Sequence, residues 1–193
     1  MNLVKKNNPT YHEEKLEEIR YGLESIYLTY TKIFVIFVLA YFLGIIKETL
    51  LLLLTYNIIR TFAFGIHATK SIYCLITSLM LFIGGVYIVK YMSLNIYVKT
   101  IISIMLLICI YKYAPADTYK RPLINEIKRK KYKVISTILG IAYVILIIIL
   151  NNNIISNYLL IGMLESVIMI HPLIYKIFNL PFDNYKKYKL NTV

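Results

Sequence analysis

The stretch FGIHATKSIYC, residues 64–74, sets a histidine and a cysteine seven positions apart in a chain otherwise rich in Ile, Leu, Tyr and Lys. His67 is one of three histidines and Cys74 one of two cysteines. An imidazole moves protons near neutral pH, and a thiol is a strong nucleophile once deprotonated, so this pair points to thiol acyl-transfer chemistry. Arg60 precedes His67 by seven residues, with Ser71 and Ser78 interleaved, so on one continuous helix all five would share a face. Such a helix would separate base from nucleophile. Seven residues rise roughly 10 Å along the axis, whereas a His–Cys hydrogen bond needs about 3 Å.

A break between the two removes the difficulty. Gly65 is a natural breaker, and Thr69 or Ser71 can cap a new helix. With Ser71 as the cap, Cys74 falls at the third helical position. There the helix dipole and the neighbouring Lys70 favour a thiolate, and His67 sits in the preceding loop, able to turn back toward the sulfur. The plainer reading makes Cys74 a small apolar filler and His67 a satisfied polar group. Cys109, in LLICIY, has no base beside it and takes the filler reading. Glu165 and His171, six residues apart, fall on different faces of a helix and form no dyad. With no CxxC, no HExxH and only scattered histidines, neither a metal site nor a cofactor is implied.

The elements that would hold these residues are set by hydropathy. The chain has 193 residues, 59% of them hydrophobic, with a net charge of +12 and a mean hydropathy of +0.64. Apolar stretches recur at about 20 residues, the length that crosses a bilayer. The expected fold is all-α: a single integral membrane domain, 1–193, with about six transmembrane helices and an N-terminal amphipathic interfacial helix. Leu16, Ile19, Leu23 and Ile26 recur at helical spacing and place that interfacial helix over 10–25. The spans are expected at 26–46, 49–66, 72–89, 94–113, 134–150 and 154–178, with a basic loop over 114–133. Lys32 lies near enough to the end of the first span to snorkel. A Glu-rich charged stretch precedes the first span, and no small-residue cleavage site follows it, so the N-terminus does not read as a signal peptide. Both cysteines lie in or beside apolar runs, which argues against a disulfide framework.

Charge orients the spans. The segment from Lys112 to Lys133 holds eight Lys/Arg, the chain up to Lys32 five and the stretch from Lys176 to Lys189 four. The opposite turns hold only Lys47 and Lys90, with Lys99 slightly inside the fourth span. Positively charged loops stay inside, so both termini, the 112–133 loop and the His67 segment are expected on the cytoplasmic side. The run Lys128, Arg129, Lys130, Lys131 reads first as a topology determinant and a contact for anionic membrane lipids, not for nucleic acid.

The pattern RTFAFGIHATKSIYC, with Arg60, Ala63, Gly65, His67, Ala68 and Cys74, resembles the signature of the AgrB (accessory gene regulator B) family. YAPADTYKRP, residues 113–122, is similar to that family's second marker, a Pro-containing loop after the fourth span. Together with length, span number and basic loop, the resemblance covers nearly the whole chain. Where the family carries a Gly-Gly pair before the histidine, this chain has Phe64 and Gly65. The resemblance implies a membrane cysteine endopeptidase of bacterial quorum sensing, with an AgrD-like precursor peptide as substrate, Cys74 as nucleophile and His67 as base. Arg60 would bind the precursor's acidic tail or the oxyanion, or else serve as an interfacial anchor. Lys128 to Lys131 could attract the acidic tail, while Pro115 and Asp117 would shape their loop. Ser71 and Ser78 could donate to the thiolate, or could cap and pack helices. A homodimer could bring His67 of one copy beside Cys74 of the other. The competing class is a small transporter, for which Glu165, Lys99 and the His171-Pro172 pair would be the polar groups within spans.

Overall fold

The computed structural model describes residues 13–66, 71–118, 122–150 and 154–186. Its first helix, α1, runs Glu13–Phe42, so the segments expected as an interfacial helix (10–25) and a first span (26–46) continue into one another. Gly44, at φ 66°, ends it. The Ile45 amide donates to the Ala40 carbonyl at 2.8 Å and the Gly44 amide to Tyr41 at 3.0 Å, the two bonds of a glycine-terminated helix end. Helix α2 follows at Ile46–Ala63.

Helix α3, Ser71–Leu79, runs through a π-helical turn at Met80–Gly84 into α4, Gly85–Tyr91. Helix α5 is Ile96–Tyr113, with the Asn95 side chain accepting from the Val98 amide at 2.9 Å as its N-cap. Helix α6 is Glu126–Leu150. Asn125 accepts from the Lys128 amide at 3.0 Å, so the basic run Lys128 to Lys131 lies on the first turns of a helix, not in the loop before it. Helix α7 is Ile154–Ile170. The last apolar stretch, expected as one span over 154–178, divides at His171. Proline offers no amide to continue a helix, and α8 restarts at Pro172–Ile177 with His171 Nδ1 accepting from the Leu173 amide at 3.2 Å.

The result is an all-helical membrane protein. Among the described residues, three helical stretches are long and apolar enough to cross a bilayer: Ile72–Tyr91, Ile96–Tyr113 and Glu126–Leu150. Thr29–Phe42 and Ile154–Ile170 are shorter apolar helices. The exposed faces of these helices are largely apolar, for example Ile101, Met105 and Ile108 on α5 and Ile138, Ile141 and Ile145 on α6. Polar groups instead gather inside, among them Thr49, Thr55, Ser103, Ser136, Ser156 and Ser166. Helix α7 is the centre, with thirteen of its seventeen residues buried.

Because lipid is as apolar as leucine, close packing and interhelical hydrogen bonds must hold such a bundle. Gly162 lets α2 approach: a Cβ there would come within 2.5 Å of Thr55 Oγ1. Across that contact Thr55 Oγ1 donates to the Tyr158 carbonyl at 3.2 Å and the Tyr143 hydroxyl to the Thr55 carbonyl at 2.7 Å. Ser166 Oγ likewise reaches the Tyr56 carbonyl at 3.2 Å. These bonds tie α2, α6 and α7 into the frame on which the site is mounted.

Candidate active site

Helix α2 ends where glycine permits it to. Gly65 sits at φ 114°, closed to residues with a Cβ, and Phe64 before it holds φ 57°. The Phe64 ring offsets that conformation by packing edge-on against Tyr132, with ring centroids 5.0 Å apart. Three backbone bonds then clamp residues 63–66. The Ala116 amide donates to Ala63 at 2.9 Å, the Gly65 amide to Ala116 at 2.8 Å and the Ile66 amide to Met169 at 3.0 Å. The two sequence markers therefore meet as a short parallel bridge between Phe64 and Ala116, with the C-terminal end of α7 as the third side.

His67, Thr69 and Lys70 lie outside the described residues, and so does the Ser71 side chain. What is described is their setting. The chain enters the segment at Ile66 and leaves it at Ser71, the first residue of α3, so Cys74 lies in that helix's first turn. Arg60 and Cys74 consequently belong to different helices, and no continuous stripe joins them.

Cys74 and Ile66 line one cavity of about 240 Å³, enclosed by α1, α2, α3, the π-helical turn, Met169 and the segment after α8. Its wall is mainly apolar, through Ile33, Ile36, Leu53, Leu81, Phe82 and Leu180. Arg60 and Lys32 are its charged members. Arg60 Nη2 donates to the Ile66 carbonyl at 2.6 Å, which fixes the approach to His67, while Nη1 has no hydrogen-bond partner among the described residues. Lys32 Nζ donates to Cys74 Sγ at 3.1 Å. This lysine, expected to snorkel, instead points into the site. The pattern held no cue to it, because the contact spans 42 residues and depends on how α1 docks.

Other expected site residues have different contacts. Ser78 Oγ donates to the Cys74 carbonyl at 2.8 Å, bonding backbone, not sulfur. Pro115 follows a cis peptide bond in the second marker. Asp117 is 3% exposed and faces away from the cavity as a collector of backbone amides. Its Oδ1 accepts from Asn184 at 2.9 Å, and its Oδ2 from Tyr185 at 2.8 Å and Leu123 at 3.2 Å. Its own carbonyl accepts from the Tyr175 hydroxyl at 3.0 Å. Asp117→Ala would leave three amides without an acceptor, and we expect a loss of about 3 kcal/mol given the cost of unmade buried bonds. Thermal unfolding in lipid nanodiscs checks this, with faster proteolysis after α8 as the local sign; an unchanged unfolding temperature would contradict it.

Arg129 stacks on the Tyr185 ring, 3.7 Å from its centroid, and approaches Glu126 at 3.9 Å. It pins the same tail, whereas Lys128, Lys130 and Lys131 are exposed. Cys109 packs against the core, and His171, besides capping α8, sets its ring 4.9 Å from that of Tyr113. Glu165 is buried against Gly85, and its Oε2 has no partner among the described residues.

The sequence profile of AgrB, described as Accessory gene regulator B, matches residues 1–170. An AgrB-like protein of Clostridium acetobutylicum is 30% identical over 175 residues, covering 91% of this chain and 84% of that one. An AgrB-like protein of Listeria innocua is 31% identical over 190 residues, with 97% and 92% covered. The accessory gene regulator protein B of Staphylococcus aureus is 33% identical over 173 residues, with 89% and 90% covered. No solved structure matches this chain.

Proposed function

The chain belongs to the AgrB family, and from that membership we propose that it is a membrane-embedded cysteine endopeptidase of quorum sensing. It removes the C-terminal tail of an AgrD-like precursor and promotes closure of the remaining signal segment into a ring. The observation that carries this reading is the cysteine in the first turn of α3, opening on an apolar cavity whose only described charges are cations.

The chemistry balances in two steps. Cys74 gives its proton to His67 and attacks the carbonyl at the junction between signal segment and tail. The C–N bond breaks, His67 returns the proton to the leaving amine, and the signal segment stays on Cys74 as a thioester. An internal Cys or Ser of that segment then gives its proton to His67 and attacks the thioester carbon. Cys74 departs as a thiolate, leaving a thiolactone or lactone. Water would hydrolyse the thioester, so an apolar enclosure such as this cavity favours cyclisation. Arg60 Nη1 is available for the oxyanion or for a carboxylate of the tail. Exposed Lys128, Lys130 and Lys131 attract that acidic tail and anionic lipid from the cytoplasmic side, where both termini also lie.

The test is intact-protein mass spectrometry of the purified protein in nanodiscs, incubated with a synthetic AgrD-like precursor peptide. The expected result is a mass increase equal to the signal segment, mapped to Cys74 and removed by hydroxylamine. Folded protein that yields neither adduct nor free tail would defeat the proposal. Glu165, buried in α7 with an oxygen that has no partner among the described residues, is the feature that favours a transporter instead; a transporter tolerates Cys74→Ser, whereas the peptidase does not.

A further inference from the structure

We propose that Lys32 is the fixed counter-ion of the Cys74 sulfur, neutralising it both when it attacks and when it leaves. The catalytic consequence rests on the peptidase reading above; the charge pairing itself does not.

The geometry is specific. The Lys32 ammonium lies 3.1 Å from Sγ, across an interhelical contact between α1 and α3, within the range of a nitrogen–sulfur hydrogen bond. Lys32 is half-buried in the wall of the cavity, where the surroundings screen charge far less than water does. The described charged and titratable groups that line the cavity with the sulfur can be named element by element. Helix α1 contributes Lys32, α2 contributes Tyr56 and Arg60, and α3 contributes Tyr73; no Asp or Glu is among the cavity's described lining. Arg60 is committed to the Ile66 carbonyl and Ser78 to the Cys74 carbonyl. Lys32 is thus the cation whose described hydrogen bond ends on the reacting atom. A lysine with no carboxylate partner among the described residues, placed in an apolar wall beside a thiol, is matched when that thiol is an anion.

This divides the work between two residues. Lys32 supplies charge; His67 carries the proton. Thiolate formation, thioester formation and thioester release all pass through a sulfur whose negative charge rises and falls beside one stationary ammonium. A sulfur whose charge is balanced in this way is served in both steps, when it attacks and when it departs in the cyclising step. It also makes α1, the helix ahead of both markers, a part of the site.

The experiment measures iodoacetamide alkylation of Cys74 in nanodisc-embedded Cys109→Ala protein, from mildly acidic to alkaline pH, beside precursor cleavage. Lys32→Met and Lys32→Gln should slow alkylation at neutral pH by about tenfold, converging with the parent at alkaline pH where every thiol is ionised. Lys32→Arg, which keeps the charge, should remain within a few-fold of the parent. Unchanged alkylation at neutral pH in Lys32→Met would overturn the proposal. So would equal slowing at all pH values, because that reports lost access or altered packing and not lost charge. The two readings separate cleanly. Charge-dependent alkylation in a protein that never forms the precursor adduct sinks the peptidase and leaves the ion pair, whereas a precursor adduct with charge-independent alkylation does the reverse.

Discussion

Cys74→Ala is expected to lower tail release by at least ~10³-fold, to the background of uncatalysed hydrolysis, while the protein stays folded and membrane-inserted. Each tenfold is about 1.4 kcal/mol of barrier, so the loss amounts to roughly 4 kcal/mol or more, an effect that removal of a covalent nucleophile can supply and removal of a packing methylene cannot. The stability cost should be small. Cys74 is half-buried and its sulfur borders the cavity, so alanine extends an existing space without opening a sealed one. Cys74→Ser should fail nearly as completely, because the hydroxyl does not ionise beside Lys32 and the thioester cannot form. His67→Ala should cost less, on the order of 10²–10⁴-fold, the usual worth of a general acid–base group. Tail release by mass spectrometry and unfolding temperature are to be read on the same preparations. Substantial release by Cys74→Ala would end the peptidase reading, and failed release with a collapsed unfolding temperature would point to structure instead.

Gly65→Ala is expected to cost about 3 kcal/mol or more of stability, and to bring inactivity with it. Two costs combine. At φ 114° an L side chain is strained wherever it points. The new Cβ would also stand 2.5 Å from the Met169 carbonyl oxygen and closer still to Arg60 Nη1. The guanidinium can swing aside, but it then releases the Ile66 carbonyl. The Met169 carbonyl belongs to the end of α7 and can yield only if the Ile66–Met169 bond of the clamp opens. Relief of either contact therefore loosens residues 63–66, from which the chain leads on to His67. Thermal unfolding and tail release should fall together, and an Ala variant with the parent's unfolding temperature would show that the clamp is not under this constraint.

Much of the architecture was legible because bilayer-length apolar runs have few solutions. The stretches expected at 72–89 and 94–113 correspond to the observed Ile72–Tyr91 and Ile96–Tyr113, since every backbone group in lipid must bond within its own helix. The end of α2 was readable from Gly65, and the first-turn position of Cys74 follows from the start of α3 at Ser71. The division of the last stretch was also visible in principle, because a residue before proline is biased away from helix and His171 precedes Pro172. Continuity of α1 was not. The change from charged to apolar residues near position 26 suggested two elements, but composition changes a helix's surroundings without interrupting its hydrogen bonds.

Local pattern thus determined an all-helical membrane chain and two marker segments, and it singled out the histidine and cysteine proposed for acyl transfer. These follow from properties that neighbours in sequence share: hydropathy, helical period, and the conformations open to glycine and proline. Tertiary structure decided which distant groups meet them. It joined the two markers through Phe64 and Ala116, turned Asp117 from a loop residue into the anchor of the tail, and moved Lys32 from an expected membrane anchor to the sulfur of Cys74. The physical reason is the same in each case. A hydrogen bond across 42 residues leaves no trace in the spacing of either partner, because it exists only once packing between helices has closed the distance.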